Sequence, residues 1–271
     1  MQEYSVAGEP IAVIKIGGSI LTKGVSYRRA AKFVRNRRSA TPEERLVVVV
    51  SAQEGMTDSL EHAARKIAGE PDPSSLDLLW STGEVRSAAL LALHLQALGV
   101  SAVALNTHET GLSVPANARG ATHVGLNLKR MLSALSEFPV VVAPGFLATD
   151  PSNAIVSLGR GGTDLTAILL AEGLAARRCE LIKDVPGYFT SDPHRDPSAR
   201  PIPFLTFEHA LELARNGCDL VQKKALEEAA RCGLTLVVRS IKNAGPITRI
   251  GIAPLAAGAW DESATPAAVA S

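Results

Sequence analysis

With 271 residues, 46% of them hydrophobic, the chain is long enough for one large α/β domain or two closely joined lobes. Twenty-eight basic residues against 27 acidic ones leave a formal charge of +1, so composition gives no electrostatic case for a nucleic-acid or anionic-membrane partner. Cys179, Cys218 and Cys232 are widely spaced and form no C-x-x-C pair, which argues against a disulfide framework and a zinc site; residues 1–10 lack a basic-then-apolar leader and no apolar run reaches the ~18 residues of a membrane span, so a cytoplasmic location is expected.

In chain order, residues 11–16 are a β-branched run stopped by Gly17-Gly18-Ser19, the pattern of a buried strand ending in a turn beside a ligand. Lys15 interrupts the run, and its ammonium is expected to leave through the strand's end. It serves there either as a point charge for a moving phosphate, beside bare backbone N–H groups, or as an ordinary lysine snorkelling to solvent. The Walker pattern G-x-x-x-x-G-K-[ST] is absent. Residues 25–37 read as a helix whose basic cluster, residues 28–38, is its wet face; residues 46–50 read as a second buried strand. That strand empties into Ser51-Ala-Gln-Glu-Gly-Met-Thr-Asp58. Ser51 then sits at the C-terminal edge of the sheet, where open α/β sheets bind ligands, and Thr57 or Asp58 starts the next helix.

Residues 76–99 have a helical period, but Ser81-Thr-Gly-Glu84 has the S-x-x-E spacing of a capping box. Glu84 is either turned back on Ser81 in a helix that restarts there, or aimed at a substrate ammonium. A third strand (100–105), a surface excursion rich in Gly, Ser, Asn and Pro (106–122), a helix (126–136) and a fourth strand (140–143) follow. Then Ser157-Leu-Gly-Arg-Gly-Gly-Thr-Asp164 runs into an apolar helix. Gly159, Gly161 and Gly162 let a backbone approach a ligand, Arg160 offers a planar fork for a carboxylate or phosphate, and Thr163 or Asp164 can cap the helix. The same octapeptide also fits a capped helix with a solvent-facing arginine. A strand at 179–182 leads into an excursion with turns at Pro186-Gly187 and Asp192-Pro193; helices at 207–216 and 222–232 and strands at 234–238 and 247–252 complete the pattern. Strands alternating with helices at this cadence argue for a mostly parallel sheet covered on both faces, and the alanine-rich tail after Pro254 is expected to be poorly ordered.

Six segments together resemble the catalytic domain of aspartokinases, within the amino acid kinase superfamily. They are Lys15-Ile-Gly-Gly-Ser19, Ser51-Ala with Gly55-Met-Thr-Asp58, Ser81-Thr-Gly-Glu84, Gly145-Phe146, Leu158-Gly-Arg-Gly-Gly-Thr-Asp164, and Asp184-Val-Pro-Gly with Thr190-Ser-Asp-Pro193. They occur in the family's order across residues 11–240. The resemblance implies an α/β three-layer α/β/α sandwich with a mostly parallel central sheet, formed by a single domain over residues 11–252. Its N-lobe (about 11–155) would hold the acceptor and its C-lobe (about 156–252) ATP, with an extension at 1–10 and a tail at 253–271. It also implies a reaction, transfer of the γ-phosphoryl group of ATP, with Mg²⁺, to the β-carboxylate of aspartate, in a homodimer.

Carried over residue by residue, the resemblance places Lys15, Gly17, Gly18, Ser19, Gly161 and Gly162 at the phosphates. It places Ser51, Thr57, Glu84, Arg160 and Thr163 around the amino acid, and Lys183, Asp184, Phe189 and Lys223 at the nucleotide. Asp164 would organise lysines or the metal. The chemistry agrees, because aspartate needs a cation for its α-carboxylate and an anion for its ammonium, and phosphoryl transfer rests on positioning and charge neutralisation.

The nucleotide side departs from the family pattern. Lys183 stands where a threonine is usual, Phe189 is displaced by one from Tyr188, and His194 replaces an arginine that comes one step late as Arg195. Gly217-Cys-Asp-Leu-Val-Gln-Lys223 puts Asp219 in the place of a phosphate-facing lysine, and Lys183, Lys223 or Lys224 is expected to restore that charge. About thirty residues follow Val238, too few for an ACT regulatory module of roughly sixty or more, so feedback control by that route is not expected. Two alternatives stay open: a kinase of this fold acting on another small acid, a carbamate or a phosphonate, and a catalytically weak binding or partner subunit.

Overall fold

The computed structural model describes residues 9–22, 24–116, 118–120, 124–193, 195–218, 220–241 and 245–252. His194, Asp219 and the tail lie outside them. Strand β1 (Ile11–Ile16) is buried along its whole length, and the basic face of α1 (Gly24–Ala40) is exposed at Arg28, Arg29 and Lys32 and half-buried at Arg35, Arg37 and Arg38, where Arg37 reaches the buried Glu180. After β2 (Arg45–Val50) come α2 (Met56–Ile67), α3 (Pro73–Gln96) and β3 (Ala102–Ala104). Three short elements follow, β4 (Leu112–Ser113), β5 (Gly125–Leu126) and α4 (Lys129–Glu137), then β6 (Val140–Pro144), β7 (Leu147–Thr149) and β8 (Ile155–Ser157). The C-terminal part contains α5 (Gly162–Gly173), β9 (Arg178–Lys183), β10 (Phe204–Thr206), α6 (Phe207–Arg215), α7 (Lys223–Cys232), β11 (Leu236–Ser240) and β12 (Thr248–Gly251).

Eight strands form one sheet in the order β10-β12-β11-β9-β1-β2-β6-β3, parallel throughout except for the β11–β12 pair. A second sheet, β5-β4-β7-β8, sits beside it. Successive side chains of a strand alternate between faces, and the core divides accordingly. Ala12, Ile14, Ile16, Val48 and Val142 pack with α1 and α3, whereas Ile11, Val13, Val49 and Val141 pack with α4 to α7. The expected three-layer α/β/α arrangement is thereby observed. Lys15 shares the face of Ile11 and Val13, so it is directed at α5.

Several local expectations are corrected. Helix α3 does not restart at Ser81. Asp72 caps its N-terminus by accepting from the Ser75 N–H at 2.8 Å, Pro73 occupies the first turn, and Ser81 Oγ donates to the Leu78 carbonyl at 2.6 Å. Neither Thr57 nor Asp58 opens α2, whose N-cap is Gly55, and neither Thr163 nor Asp164 caps α5, whose N-cap is Gly161. Both glycines have positive φ, 73° and 78°, a geometry that disfavours a side-chain cap residue. The excursion at 106–122 carries β4, the helix expected from 126 begins at 129, and β5, β7, β8 and β10, two or three residues each, are too short to show a period.

Candidate active site

The register sets Ile16 opposite both Val50 and Ile182, so β1, β2 and β9 end at one edge of the sheet. The segments leaving there, Gly17-Gly18-Ser19, residues 51–55 and Lys183, converge. Gly18 permits the approach, since a methyl there would lie 2.8 Å from the Ala52 carbonyl oxygen. Gly145 does the same for α5, because a methyl would stand 2.4 Å from Thr163 Cγ2.

Lys15 is not a snorkelling lysine. It is 7% exposed, and its Nζ lies 2.7 Å from Asp164 Oδ1, while Lys183 Nζ lies 3.0 Å from the other oxygen, Oδ2. Burial acts to raise the Asp164 pKa, but Lys15 and then Lys183 outweigh it and hold the carboxyl well below the usual range. Burial pushes the Lys183 ammonium down, opposed by Asp164 and reinforced by Lys15. Two ammonium groups on one carboxylate leave a net positive charge where solvent is scarce, a standing demand for an anion.

That demand faces a cleft of about 380 Å³. Gly55, Gly161 and Gln222, the N-cap residues of α2, α5 and α7, all line it, and none of the three helices has a side-chain cap bond. Three positive helix ends therefore converge with the lysines on one space, the Met56 and Gly162 N–H groups being turned back onto the Gln53 and Gly159 carbonyls. Glu84 also lines it. Its side chain is buried, it accepts from the Ala52 backbone N–H, its Oε2 has no partner, and burial pushes its pKa up to about 8 against the opposing effects of Ala52 and Lys15. The cleft thus has an anion-seeking end and, besides the lysine-paired Asp164, a second buried acid in Glu84.

Of the residues expected from sequence, Lys15, Gly18, Ser19, Ser51, Thr57, Glu84, Gly161, Gly162, Thr163, Asp164 and Lys183 line this cleft. Gly17 lies beside it, where a methyl would be 3.3 Å from Lys15 Nζ. Arg160 is exposed and outside the lining, as is Asp184, and Phe189 is half-buried and bridged to Pro201. Lys223 is exposed and pairs along its own helix with Glu227 at 3.5 Å, while Lys224 donates to the Gly120 carbonyl at 2.9 Å. Neither reaches the cleft, so Lys183 alone of the three candidate lysines supplies the added charge there. Sequence reasoning missed Gln222 and Phe146. Phe146 belongs to the Gly145-Phe146 motif and has φ 71°, its N–H donating to Thr166 Oγ1 at 3.2 Å. A larger cavity of about 810 Å³, lined by Val114, Leu165, Lys224 and Arg231 among others, shares no residue with the cleft and holds no buried charge cluster. Among the described residues, no group of three His, Cys, Asp or Glu side chains is placed to hold a metal, and no helix is long and apolar enough to cross a membrane.

A parallel sheet whose C-terminal edge presents a buried Lys–Asp–Lys cluster to three uncapped helix ends defines an anion-handling α/β protein. The chain belongs to the amino acid kinase family, whose model it matches over residues 10–240. It is 35% identical over 240 residues to the aspartokinase of Thermus thermophilus, a match covering 89% of this chain and 59% of the relative. The aspartate kinase of Synechocystis superposes with a TM-score of 0.78 at 35% identity, over 90% of this chain and 40% of that one. E. coli aspartokinase III, solved in complex with lysine and aspartate, superposes with a TM-score of 0.71 at 25% identity, over 89% of this chain and 64% of that one. The chain therefore spans 59% of the Thermus relative's length and a similar or smaller share of the two solved structures.

Proposed function

We propose that the chain is an ATP-dependent kinase that phosphorylates the β-carboxylate of aspartate or a close analogue, giving an acyl phosphate. The observation that carries this reading is the Lys15–Asp164–Lys183 cluster facing a cleft that Glu84 also lines. In the reaction the γ-phosphorus–oxygen bond of ATP breaks, a bond from phosphorus to a carboxylate oxygen forms, and ADP leaves. An ionised carboxylate carries no proton to remove, so no general base is needed, and no histidine lines the cleft among the described residues. Lys15 and Lys183 neutralise charge on the transferred group, and Gly17, Gly18, Ser19, Gly161 and Gly162 surround it with backbone. Ser51, Thr57 and Thr163 orient the amino acid, Glu84 takes its ammonium, and Arg160 meets its α-carboxylate from the rim. Asp184, Phe189 and Lys223 flank the nucleotide, residues 11–155 forming the acceptor lobe and 156–252 the nucleotide lobe of a cytoplasmic homodimer. The Thermus aspartokinase and Synechocystis aspartate kinase relatives, and the aspartate bound to the E. coli protein, support the choice of acceptor.

The donor set does not fit a protein-held metal: Asp164 is already engaged by two lysines, and no carboxylate cluster accompanies it among the described residues. Mg²⁺ enters this reading as the counter-ion of the nucleotide phosphates. Hydroxylamine trapping tests the whole proposal. With ATP, Mg²⁺ and aspartate it should yield a hydroxamate; turnover confined to another small acid moves the acceptor, and no turnover with any acid leaves a partner subunit.

Glu84 makes the proposal sensitive to pH. A carboxyl that burial pushes up to about 8 must lose its proton before it can take an ammonium. Aspartate affinity should therefore rise as pH climbs toward 8, by up to about tenfold per unit below that value. Glu84→Gln should flatten the profile and weaken binding at every pH. A wild-type affinity independent of pH between 6 and 8, measured by calorimetry, returns Glu84 to a purely structural role.

A further inference from the structure

Helix α7 meets the cleft through Gln222, which has the extended backbone of an N-cap (φ −67°, ψ 140°) but makes no side-chain cap bond. Short side chains are the ones that reach back to the first N–H groups of a helix. This longer one lies across the turn at residues 159–162 instead. A methyl at Gly161 would stand 2.5 Å from Gln222 Cβ and 2.6 Å from its Cγ, so the aliphatic part of the glutamine rests on the glycine backbone. Two residues further on, Lys224 reaches the other end of the same turn. Its Nζ donates to the Gly120 carbonyl at 2.9 Å, and a methyl at Gly159 would lie 3.8 Å from that Nζ and 3.6 Å from Gly120 Cα. Gly120 is itself tied to the strand that precedes the turn, its N–H donating to the Ser157 carbonyl at 3.0 Å.

We infer that Gln222 and Lys224 are positioning residues, a clasp from the first turn of α7 that holds residues 159–162, and with them Arg160 and the first N–H groups of α5, in the geometry that receives the acceptor. Within itself the turn is closed by one backbone bond, the Gly162 N–H donating to the Gly159 carbonyl at 2.9 Å, and its composition works against order. Gly159 and Gly161 have φ of 77° and 78°, Gly162 follows, and three glycines in four residues lose more conformational entropy on ordering than any other composition. Contacts from a neighbouring helix supply the constraint that side chains of the turn cannot. The kinetic part of this inference rests on the acceptor role of Arg160; the structural part does not.

Three variants test it: Gln222→Ala, Gln222→Met, which keeps Cβ and Cγ without the amide, and Lys224→Met. Hydrogen exchange at the amides of residues 159–165 reads the clasp whatever the substrate. It should quicken by roughly tenfold in Gln222→Ala and in Lys224→Met and stay near wild type in Gln222→Met. With aspartate as acceptor, the KM for aspartate should rise about tenfold in Gln222→Ala, with kcat lowered less than about threefold and both restored in Gln222→Met. Absence of aspartate-dependent turnover in the wild type defeats the acceptor reading and leaves the exchange result to decide the clasp. Wild-type exchange in Gln222→Ala, or the same kinetic loss in Gln222→Met as in Gln222→Ala, overturns it.

Discussion

Lys15→Met should lower turnover on the order of 10²-fold or more while the protein still folds, because the lysine's charge is directed at the transferred group. The substitution keeps the stem that fills the end of β1 and removes only the ammonium. Asp164 then retains Lys183 at 3.0 Å, so its charge stays paired and the fold loses part of one ion pair rather than the whole cluster. Asp164→Asn is the harsher change for stability. It leaves two nearly buried ammonium groups facing each other without an anion, a situation that costs about 3–5 kcal/mol when a buried pair is broken. The sign of the linkage follows from the depressed Asp164 pKa: its contribution to stability is present above the unfolded value of about 3.9 and is lost only as pH falls through the lower folded value. Activity loss in Lys15→Met should therefore appear at neutral pH with the melting curve little changed. Near-normal hydroxamate formation by a folded Lys15→Met protein would remove Lys15 from the phosphate site.

The main sheet was legible because β1, β2 and β6 are β-branched runs buried on both faces, and β9 carries a short buried centre at Cys179–Ile182, signals that survive without tertiary information. The second sheet was not, since two or three residues carry no period and their pairing is between distant segments, as in Ser113 opposite Thr149. The site divides along the same line. Residues fixed by a strand end or a helix's first turn, such as Lys15, Ser51, Thr163 and Asp164, line the cleft. Those on free turns do not, because the direction of Arg160 or Asp184 depends on neighbours that a local pattern cannot name. The S-x-x-E spacing at Ser81 misled for a related reason: a capping box needs a helix start, and Asp72-Pro73 had already provided one nine residues earlier. Gln222 was hidden in a segment read only for a missing lysine. What placed it was Gly161, the partner whose lack of a side chain makes room for it.

Lys183→Ala should weaken ATP binding far more than aspartate binding and lower turnover on the order of 10²-fold or more. Lys183 closes β9, whose register with β1 sets its ammonium on the Asp164 oxygen that Lys15 leaves free. The segment at 217–223 carries aspartate where the resembling family carries lysine, so on the proposed reading the second positive charge at the phosphates now comes from the strand end. This lysine is also more readily titrated than an ordinary lysine, because burial first and Lys15 second push its pKa down. As pH rises it loses its charge before an exposed lysine does, and wild-type turnover should show an alkaline decline beginning below the usual lysine range. Lys183→Arg keeps the charge at all working pH; whatever activity it retains should lose that decline. The other side of the exchange is tested by Asp219→Lys, which should leave ATP affinity unchanged or improve it. A loss there means that Asp219 itself assists the nucleotide, for instance through Mg²⁺. Calorimetric titration of Mg²⁺–ATP into wild type, Lys183→Ala and Asp219→Lys separates these cases. Equal nucleotide affinity in wild type and Lys183→Ala ends the assignment of Lys183, and a wild type that takes up no nucleotide ends the kinase reading with it.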